Sequence, residues 1–303
     1  MHVGAIDIGT NSTHLVIASI DTTLQTFSIE LAEKSSTRLG ERDLDSGELT
    51  EISMQRTLDT LKRFKELALS YKVHKLMISA TSAVRESGNG KQFIQQVRDQ
   101  LNLEIELISG SEEARLIYLG VLSGMPFGEK PHFLIDIGGG STELVLADGN
   151  DARALTSTRV GAVRLKRDFV KVDPMSSSRI DFLKTFVKGS LEPAVDKINR
   201  RIRPGESPIM VATSGTALSI GALIQGRQNF SKGKLHGSSI SKESLDELLK
   251  KLFRMSPNER SKLPEISTRR SEIIVTGGII LQASMEMLDV NEIVLSERAL
   301  REG

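Results

Sequence analysis

The chain contains no cysteine and no tryptophan, and aromatic residues make up only 4% of it. Without cysteine there is no disulfide, no thiolate nucleophile and no cysteine-ligated zinc. With so few aromatics, a base-stacking platform for single-stranded nucleic acid is not expected. No apolar run approaches the roughly 20 residues of a membrane helix. An excess of one charge is also missing: 40 Lys plus Arg face 39 Asp plus Glu, a formal net charge of +1. Bulk charge therefore points to neither nucleic acid nor a membrane surface. The 5 histidines show no ligand spacing, which argues against a His-ligated zinc site. Met1 to Ile6 already reads as a strand and leaves no room for a leader peptide. The expectation is a soluble cytoplasmic protein, long enough at 303 residues for two domains with proper cores.

What the chain does have is a repeat. The segment Asp7 to Val16 (DIGTNSTHLV) returns as Asp136 to Val145 (DIGGGSTELV), with Asp, Ile, Gly, Ser, Thr, Leu and Val in register. Each copy is an apolar run, a tight glycine-containing turn and a second apolar run, which is a hairpin with a polar tip. A duplicated hairpin predicts two similar domains. If they face one another, two hydroxyl- and glycine-rich tips grip one phosphate-bearing ligand from opposite sides. The glycine- and proline-containing break Gly124 to Pro131 is the expected boundary, giving domains over 1–125 and 126–296, with the tail 297–303 able to pack back on the first.

Around the repeat, periodicity predicts a third strand over Thr26–Leu31, a helix over Leu49–Tyr71, a strand over Lys75–Ala80, a helix over Gln92–Leu101 and a strand over Leu103–Ile108. Ser109 and Glu112 fit a capping box that opens a helix running through Val121. The second half repeats the plan. Its predicted elements are a strand over Ala154–Val160, helices over Val163–Val170 and Ser178–Arg203, a strand over Pro208–Ala212, and helices over Ala217–Ile224 and Lys242–Phe253. One long helix is predicted over Ser271–Leu288, tolerating Gly277 and Gly278 for close packing, and a last strand over Glu292–Leu295. Meanders followed by helices and further strands give α/β layers in both halves.

Several segments carry chemistry. Gly138, Gly139 and Gly140, followed by Ser141 and Thr142, let backbone N–H groups approach an anion unobstructed by Cβ. A flexible hairpin tip explains a lone triple glycine, but the matching tip of Gly9, Thr10, Asn11, Ser12 and Thr13 favours a phosphate nest. No P-loop ending is present. Asp7 and Asp136 each end a strand beside a tip, and Glu143 follows the second tip. Such carboxylates suit Mg²⁺, although each Asp could equally cap its turn. Ser214, Gly215 and Thr216 lie between a strand and a helix, where they are either an ordinary N-cap or an anion site. Arg85 suits a phosphate, though a surface arginine is the ordinary alternative. Glu113, in the first turn of a helix, is by composition a dipole-favoured structural residue. The basic groups Lys197/Arg200/Arg201/Arg203, Lys232/Lys234 and Arg269/Arg270 read as solvated faces, with a polyanion track as the alternative.

Together with Ala80 to Arg85 (ATSAVR), Ser109 to Ile117 (SGSEEARLI) and Thr213 to Thr216 (TSGT), the two hairpins resemble the exopolyphosphatase/guanosine pentaphosphate phosphohydrolase family over nearly the whole chain. The resemblance implies two ribonuclease-H-like domains of the actin, Hsp70 and sugar-kinase superfamily around a cleft. It implies that Glu113 activates the attacking water, that Arg85 and the Gly-Ser-Thr tips contact phosphate, and that Asp136 and Glu143 lie near a Mg²⁺ (or Mn²⁺) ion, to which Asp7, from its place beside the first tip, is a further candidate ligand. It implies removal of the terminal phosphate of inorganic polyphosphate. The alternatives are hydrolysis of guanosine pentaphosphate or, in another class, an actin-like ATPase or kinase. Neither nucleic acid nor membrane is an expected partner, and a homodimer is compatible. The chain lacks the C-terminal helical extension of longer members, so a weak advantage for very long chains is expected.

Overall fold

The computed structural model describes residues 1–24, 26–43, 45–226 and 235–303. The chain divides into two compact units, Met1–Glu113 with Glu302, and Ala114–Arg301 with Gly303.

The first unit is built on β1 (His2–Ile8), β2 (Thr13–Asp21) and β3 (Thr26–Ser35), an antiparallel meander. Helix α1 (Glu51–Ser70) follows, then β4 (Lys75–Ala80), the short α2 (Ser82–Arg85), α3 (Gly90–Leu101) and β5 (Glu106–Leu107). The sheet order is β3-β2-β1-β4-β5, with β4 parallel to β1. Alternation drives the strands: Ile6, Ile8, Leu15 and Ile17 are buried and meet Leu58, Leu61 and Phe64 of α1 and Phe93 and Val97 of α3. Thr50 caps α1 by accepting from the Ser53 N–H. The predicted strand over Leu103–Ile108 pairs only at Glu106 and Leu107. Helix α4 (Gly110–Leu122) crosses the division between the units.

The second unit repeats the order. Strands β6 (His132–Ile137), β7 (Thr142–Ala147) and β8 (Ala152–Thr158) form the meander, followed by α5 (Ala162–Phe169), α6 (Ser177–Asn199), β9 (Ile209–Thr213) and α7 (Ser214–Gln225). Then come β10 (Ser239–Ser241), α8 (Lys242–Arg254), α9 (Pro257–Ser261), α10 (Thr268–Ser271), α11 (Ile274–Met287) and β11 (Glu292–Leu295). The sheet runs β10-β11-β9-β6-β7-β8, so β8-β7-β6-β9-β11 matches the first sheet and β10 is an addition. Strands β6 and β7 are buried on both faces. Phe133, Ile135, Leu144 and Leu146 face the large core under α6 and α11, while Leu134, Val145 and Ala147 meet Ile117 and Val121 of α4. Helix α11 is buried all round between α5, α6, α7 and α8, as expected of a helix apolar on every side.

The single helix predicted over Ser271–Leu288 is two helices. Arg260 Nε donates to the Ser271 carbonyl, which a continuing helix would offer to residue 275, and α11 restarts at Ile274. Gly277 and Gly278 do serve close packing, since a Cβ there would lie 2.3 Å from Thr216 Cγ2 and 2.4 Å from Leu249 Cδ2. Among the described residues no helix is long and apolar enough to cross a membrane.

The C-terminal tail lies against α4. A Cβ on Gly120 would fall 1.8 Å from the Ala299 carbonyl oxygen, a backbone atom that cannot rotate away. Gly120→Ala is therefore expected to lower unfolding free energy by about 1–3 kcal/mol, the usual cost of overpacking. Urea denaturation measures it, and an unchanged midpoint would show that the tail yields freely.

Candidate active site

The two tips are built alike. In the first unit the Gly9 N–H donates to the Ser12 carbonyl at 3.1 Å, and in the second the Gly138 N–H donates to that of Ser141 at 2.9 Å. The carbonyls between are taken by the chain that follows the third strand. Gly40 N donates to Thr10 O at 2.8 Å and Arg38 N to Asn11 O at 3.1 Å. Correspondingly, Ala162 N donates to Gly138 O, and both Val163 N and Arg164 N donate to Gly139 O, each at 3.0 Å. Arg164 Nε adds a bond to Gly140 O at 3.0 Å. With their oxygens held on one side, the peptides of each tip turn their N–H groups to the other. The N–H groups of Gly139, Gly140 and Ser141 find no backbone acceptor among the described residues. That is the arrangement of a nest for anionic oxygen.

A second repeat accompanies the first, and the hairpin comparison alone missed it. Ser36 to Gly40 (STRLG) returns as Ser157 to Gly161 (STRVG). Its glycines permit the close approach. A Cβ on Gly40 would lie 2.1 Å from Thr10 Cγ2, and one on Gly161 2.4 Å from Gly139 O and 2.5 Å from Gly140 C. Leu39 and Val160 are buried beside them and anchor the segment.

The hydroxyls of two candidate phosphate contacts are engaged inside the protein. Thr13 and Thr142 are both fully buried. Thr13 Oγ1 pairs with Thr37 Oγ1 at 2.9 Å, and Thr142 Oγ1 donates to Val160 O at 2.5 Å. Both hydroxyls point inward because each threonine opens a strand whose next turn of chain must be tied to the tip. Through these bonds the two side chains fasten the cradle to the hairpin. Thr10 Oγ1 is shared with Ser82 Oγ at 3.0 Å, which links the first tip to α2, and Ser12 Oγ meets His14 Nε2 at 2.9 Å.

The carboxylates differ between the units. Asp136 stands directly opposite Glu143 in the β6–β7 ladder, so both side chains leave the same face of the sheet. The equivalent pair in the first unit is Asp7 and His14. Glu143 is 1% exposed and accepts from Ser157 Oγ at 2.7 Å. No cluster of three or more His, Asp or Glu side chains suited to a metal occurs among the described residues. Mg²⁺ does not require one: it is commonly held by one or two carboxylates, phosphate oxygens and water. The Asp136–Glu143 pair fits that mode better than the Asp7–His14 pair does.

At the β9–α7 junction Ser214 takes a positive φ of 88°, and its Oγ accepts from the N–H groups of Thr216 and Ala217. The Ser214 hydroxyl thus satisfies two N–H groups of the first turn of α7. Over Gly215 lies Arg270, one of the basic residues expected on a solvated face. A Cβ on Gly215 would sit 2.2 Å from Arg270 Nη2, and Arg270 Nη1 donates to Thr216 Oγ1 at 3.2 Å. Burial alone pushes the Arg270 pKa down to about 10, with no carboxylate opposing it. A desolvated cation at a helix N-terminus, where the backbone is already positive, is an unfavourable placement unless an anion joins it.

In the first unit Arg85 and Glu113 are brought together. Arg85 Nη1 donates to Glu113 Oε2 at 3.2 Å and to Ile108 O at 2.9 Å. The Glu113 side chain is only 9% exposed. Loss of water pushes its pKa up to about 7, and the Arg85 guanidinium works against that rise. Ser109 Oγ accepts from the Glu112 N–H and caps the helix carrying Glu113.

The basic groups divide. Lys197 Nζ reaches Leu155 O, and Arg203 N bonds Glu206, which pairs with Arg153 near the start of β8. Arg200 to Arg203 therefore lie toward the end of the second sheet opposite the Gly138–Ser141 tip. Lys232 and Lys234 lie outside the described residues.

Duplicated meanders with similarly built glycine-containing tips define a two-unit α/β protein. The family model described as the Ppx/GppA phosphatase family matches residues 16–303, and the chain belongs to that family. It is 29% identical over 304 residues to exopolyphosphatase 1 of Mycobacterium leprae, spanning 100% of this chain and 88% of that protein. It is also 29% identical over 303 residues to a guanosine-5'-triphosphate,3'-diphosphate pyrophosphatase of Photobacterium profundum, of which it spans 57%. The crystal structure of an exopolyphosphatase from Cytophaga hutchinsonii matches with a TM-score of 0.91 at 27% identity, covering 100% of this chain and 96% of that one. The Aquifex aeolicus family member matches with a TM-score of 0.84 at 29% identity, covering 100% and 95%. These neighbours carry the actin-like fold, as the duplicated sheet order does here.

The cradle generates a graded test. Gly161→Ala drives a methyl into backbone atoms of Gly139 and Gly140, whereas Gly40→Ala meets mainly the methyl of Thr10. Gly161→Ala should weaken binding of inorganic pyrophosphate roughly tenfold or more, a loss of about 1.4 kcal/mol, and Gly40→Ala should weaken it less. Isothermal titration calorimetry of the folded variants decides it, and the reverse order would refute the cradle.

Proposed function

We propose that this chain is an exopolyphosphatase, which hydrolyses the terminal phosphoanhydride of inorganic polyphosphate and releases orthophosphate. The observation that carries the proposal is Glu113: a buried carboxylate, bridged by Arg85, whose pKa of about 7 suits a general base. Family membership and the exopolyphosphatase relatives support the same reading.

In this mechanism Glu113 accepts a proton from water as the water oxygen attacks the terminal phosphorus. The bridging P–O bond breaks, and the bond electrons leave with the shortened chain. Arg85 spends Nη1 on Glu113 and on Ile108 O, and its remaining N–H groups are directed to phosphate oxygens. The further groups proposed to offset phosphate charge are, in the first unit, the tip of Gly9 to Ser12 and, in the second, the N–H groups of Gly139, Gly140 and Ser141, the Ser214–Thr216 turn and Arg270. Positioning and electrostatics supply most of the acceleration, as is general for phosphoryl transfer.

Phosphatases of this family generally depend on a divalent metal. Mg²⁺ is the ion proposed here, with Asp136 and Glu143 as its carboxylates, Asp7 as the further candidate and Mn²⁺ as the substitute. Such an ion would supply Lewis-acid charge to the phosphate oxygens. Excess chelator should abolish turnover, and Glu143→Gln should raise the metal concentration at half-maximal activity. Full activity in chelator would reject the assignment.

The pH dependence follows from the direction of the Glu113 shift. Its folded pKa lies above the ordinary carboxylate range, so the base form prevails only above about 7. The pH profile of kcat/KM should show an acid limb centred near that value. The corresponding stabilisation is held at low pH, where Glu113 is protonated, and is lost as pH rises through about 7. Glu113→Gln should lower kcat by roughly 10²–10⁴-fold and flatten this pH-linked loss of stability. A folded Glu113→Gln enzyme of normal rate would remove Glu113 from the mechanism.

The substrate is tested by phosphate release from polyphosphate, guanosine pentaphosphate and ATP in parallel, at matched metal and salt. Polyphosphate is expected to give the highest kcat/KM, because the groups identified here are phosphate contacts and aromatics are few. A clear preference for guanosine pentaphosphate would transfer the proposal to that substrate. Cleavage of ATP alone would return the chain to the actin-like ATPase and kinase class.

A further inference from the structure

Arg260 is the largest side chain among the fully buried ones, 1% exposed, and it lies outside the groups assigned to chemistry. Burying a guanidinium is costly, and an apolar side chain of similar length in such a place is often as stable or more so. Its cost is met here by an unusually complete set of acceptors. Nη2 pairs with Asp173, on the segment between α5 and α6. Nη1 donates to Met255 O at 2.9 Å and Leu252 O at 3.4 Å, at the end of α8. Nε donates to Ser271 O at 3.2 Å, the last residue of α10.

One side chain thus ties together α8, α9, α10 and the α5–α6 segment. Its bond to Ser271 O is the one that interrupts the helix otherwise expected to run through this point. Immediately before that carbonyl stands Arg270, whose guanidinium lies over Gly215 and donates to Thr216 Oγ1. The Arg270 guanidinium makes one hydrogen bond among the described residues, so the site at α7 does little to hold it. The backbone that carries it must do so.

We propose that Arg260, with Asp173, is a positioning residue: by fixing the carbonyl of Ser271 it holds α10 so that Arg270 is presented to phosphate at the N-terminus of α7. The proposal rests on the reading of Arg270 as a phosphate contact given above. It predicts that Arg260 acts on affinity through Arg270 and not on the chemical step, which Glu113 governs in the other unit.

The test uses the full chain with Arg260→Met, Asp173→Asn, Arg270→Gln and the double variants. Binding of inorganic pyrophosphate and the KM and kcat for polyphosphate are the measurements. Arg270→Gln should raise Kd and KM roughly tenfold, the scale of one charge-assisted hydrogen bond. Arg260→Met should do much the same while kcat stays within about twofold, and in the Arg270→Gln background it should add almost nothing. If Arg260→Met does not fold, Asp173→Asn, which keeps the side-chain shape and loses the charge, carries the same comparison. An impaired Arg270→Gln beside folded Arg260→Met and Asp173→Asn proteins of normal KM would overturn the positioning role alone. So would effects that multiply independently in the double variants. A normal KM in Arg270→Gln would overturn the phosphate role of Arg270 and this proposal with it.

Discussion

A peptide group has two ends, and a backbone N–H offered to a ligand is steady only if the carbonyls around it are held elsewhere. This constraint governs both tips. The carbonyls of Thr10 and Asn11, and of Gly138, Gly139 and Gly140, are taken by the segments that leave the third strand of each meander. Those segments must come within van der Waals distance of the tip, which is why Gly40 and Gly161 stand there. They must also be anchored, and the burial of Leu39 and Val160 does so. Each tip is thus a three-part device of hairpin, threonine fastener and glycine strap. The fold supplies all three parts in the same order in each unit.

The units share this device but divide the chemistry. In the second, Glu143 faces Asp136 across the ladder and gives a carboxylate pair; in the first, His14 occupies the matching position. The first unit holds Glu113 instead. Two effects oppose one another there. Burial favours the protonated carboxyl, and Arg85 favours the carboxylate. Desolvation is the larger, which is why the pKa settles near neutrality and not below the ordinary range. An exposed glutamate in the same helical turn would be a weaker base, and a fully unpaired buried one would stay protonated at neutral pH. The Arg85 guanidinium sets the compromise, and its bond to Ile108 O keeps it in place.

Much of this was legible in the sequence because it is written in local patterns. The duplicated DIG(T/G)(N/G)ST hairpin announced two similar α/β units, and the apolar runs of β1, β2, β6 and β7 placed their hairpins correctly. Gly277 and Gly278 were rightly read as close-packing positions. Residues whose role depends on distant partners were not legible. The inward turn of the Thr13 and Thr142 hydroxyls is decided by Thr37 and Val160, which lie 24 and 18 residues away. The break between α10 and α11 is decided by Arg260, since the apolar period continues across it. The STRLG and STRVG repeat was present in the sequence all along. It is short, however, and its spacing from the hairpin differs between the halves because the intervening meanders differ in length, so it gains meaning only when both copies are seen to cover a tip.

Arg270 and Arg260 show how the same side chain can mean opposite things in one core. Arg260 is fully buried and Arg270 partly so. Arg260 faces Asp173 and three carbonyls, so its charge and its donors are satisfied inside the protein. Arg270 faces a threonine hydroxyl and the positive end of α7, so its charge is not. A protein gains nothing in stability from the second arrangement, because desolvation and the helix dipole both disfavour it. The unfavourable placement persists because the first arginine, together with the core around it, over-determines the backbone on which the second is mounted. Under the proposed function, an anion at Arg270 would relieve that electrostatic penalty at the point where the Ser214–Thr216 turn can share the load.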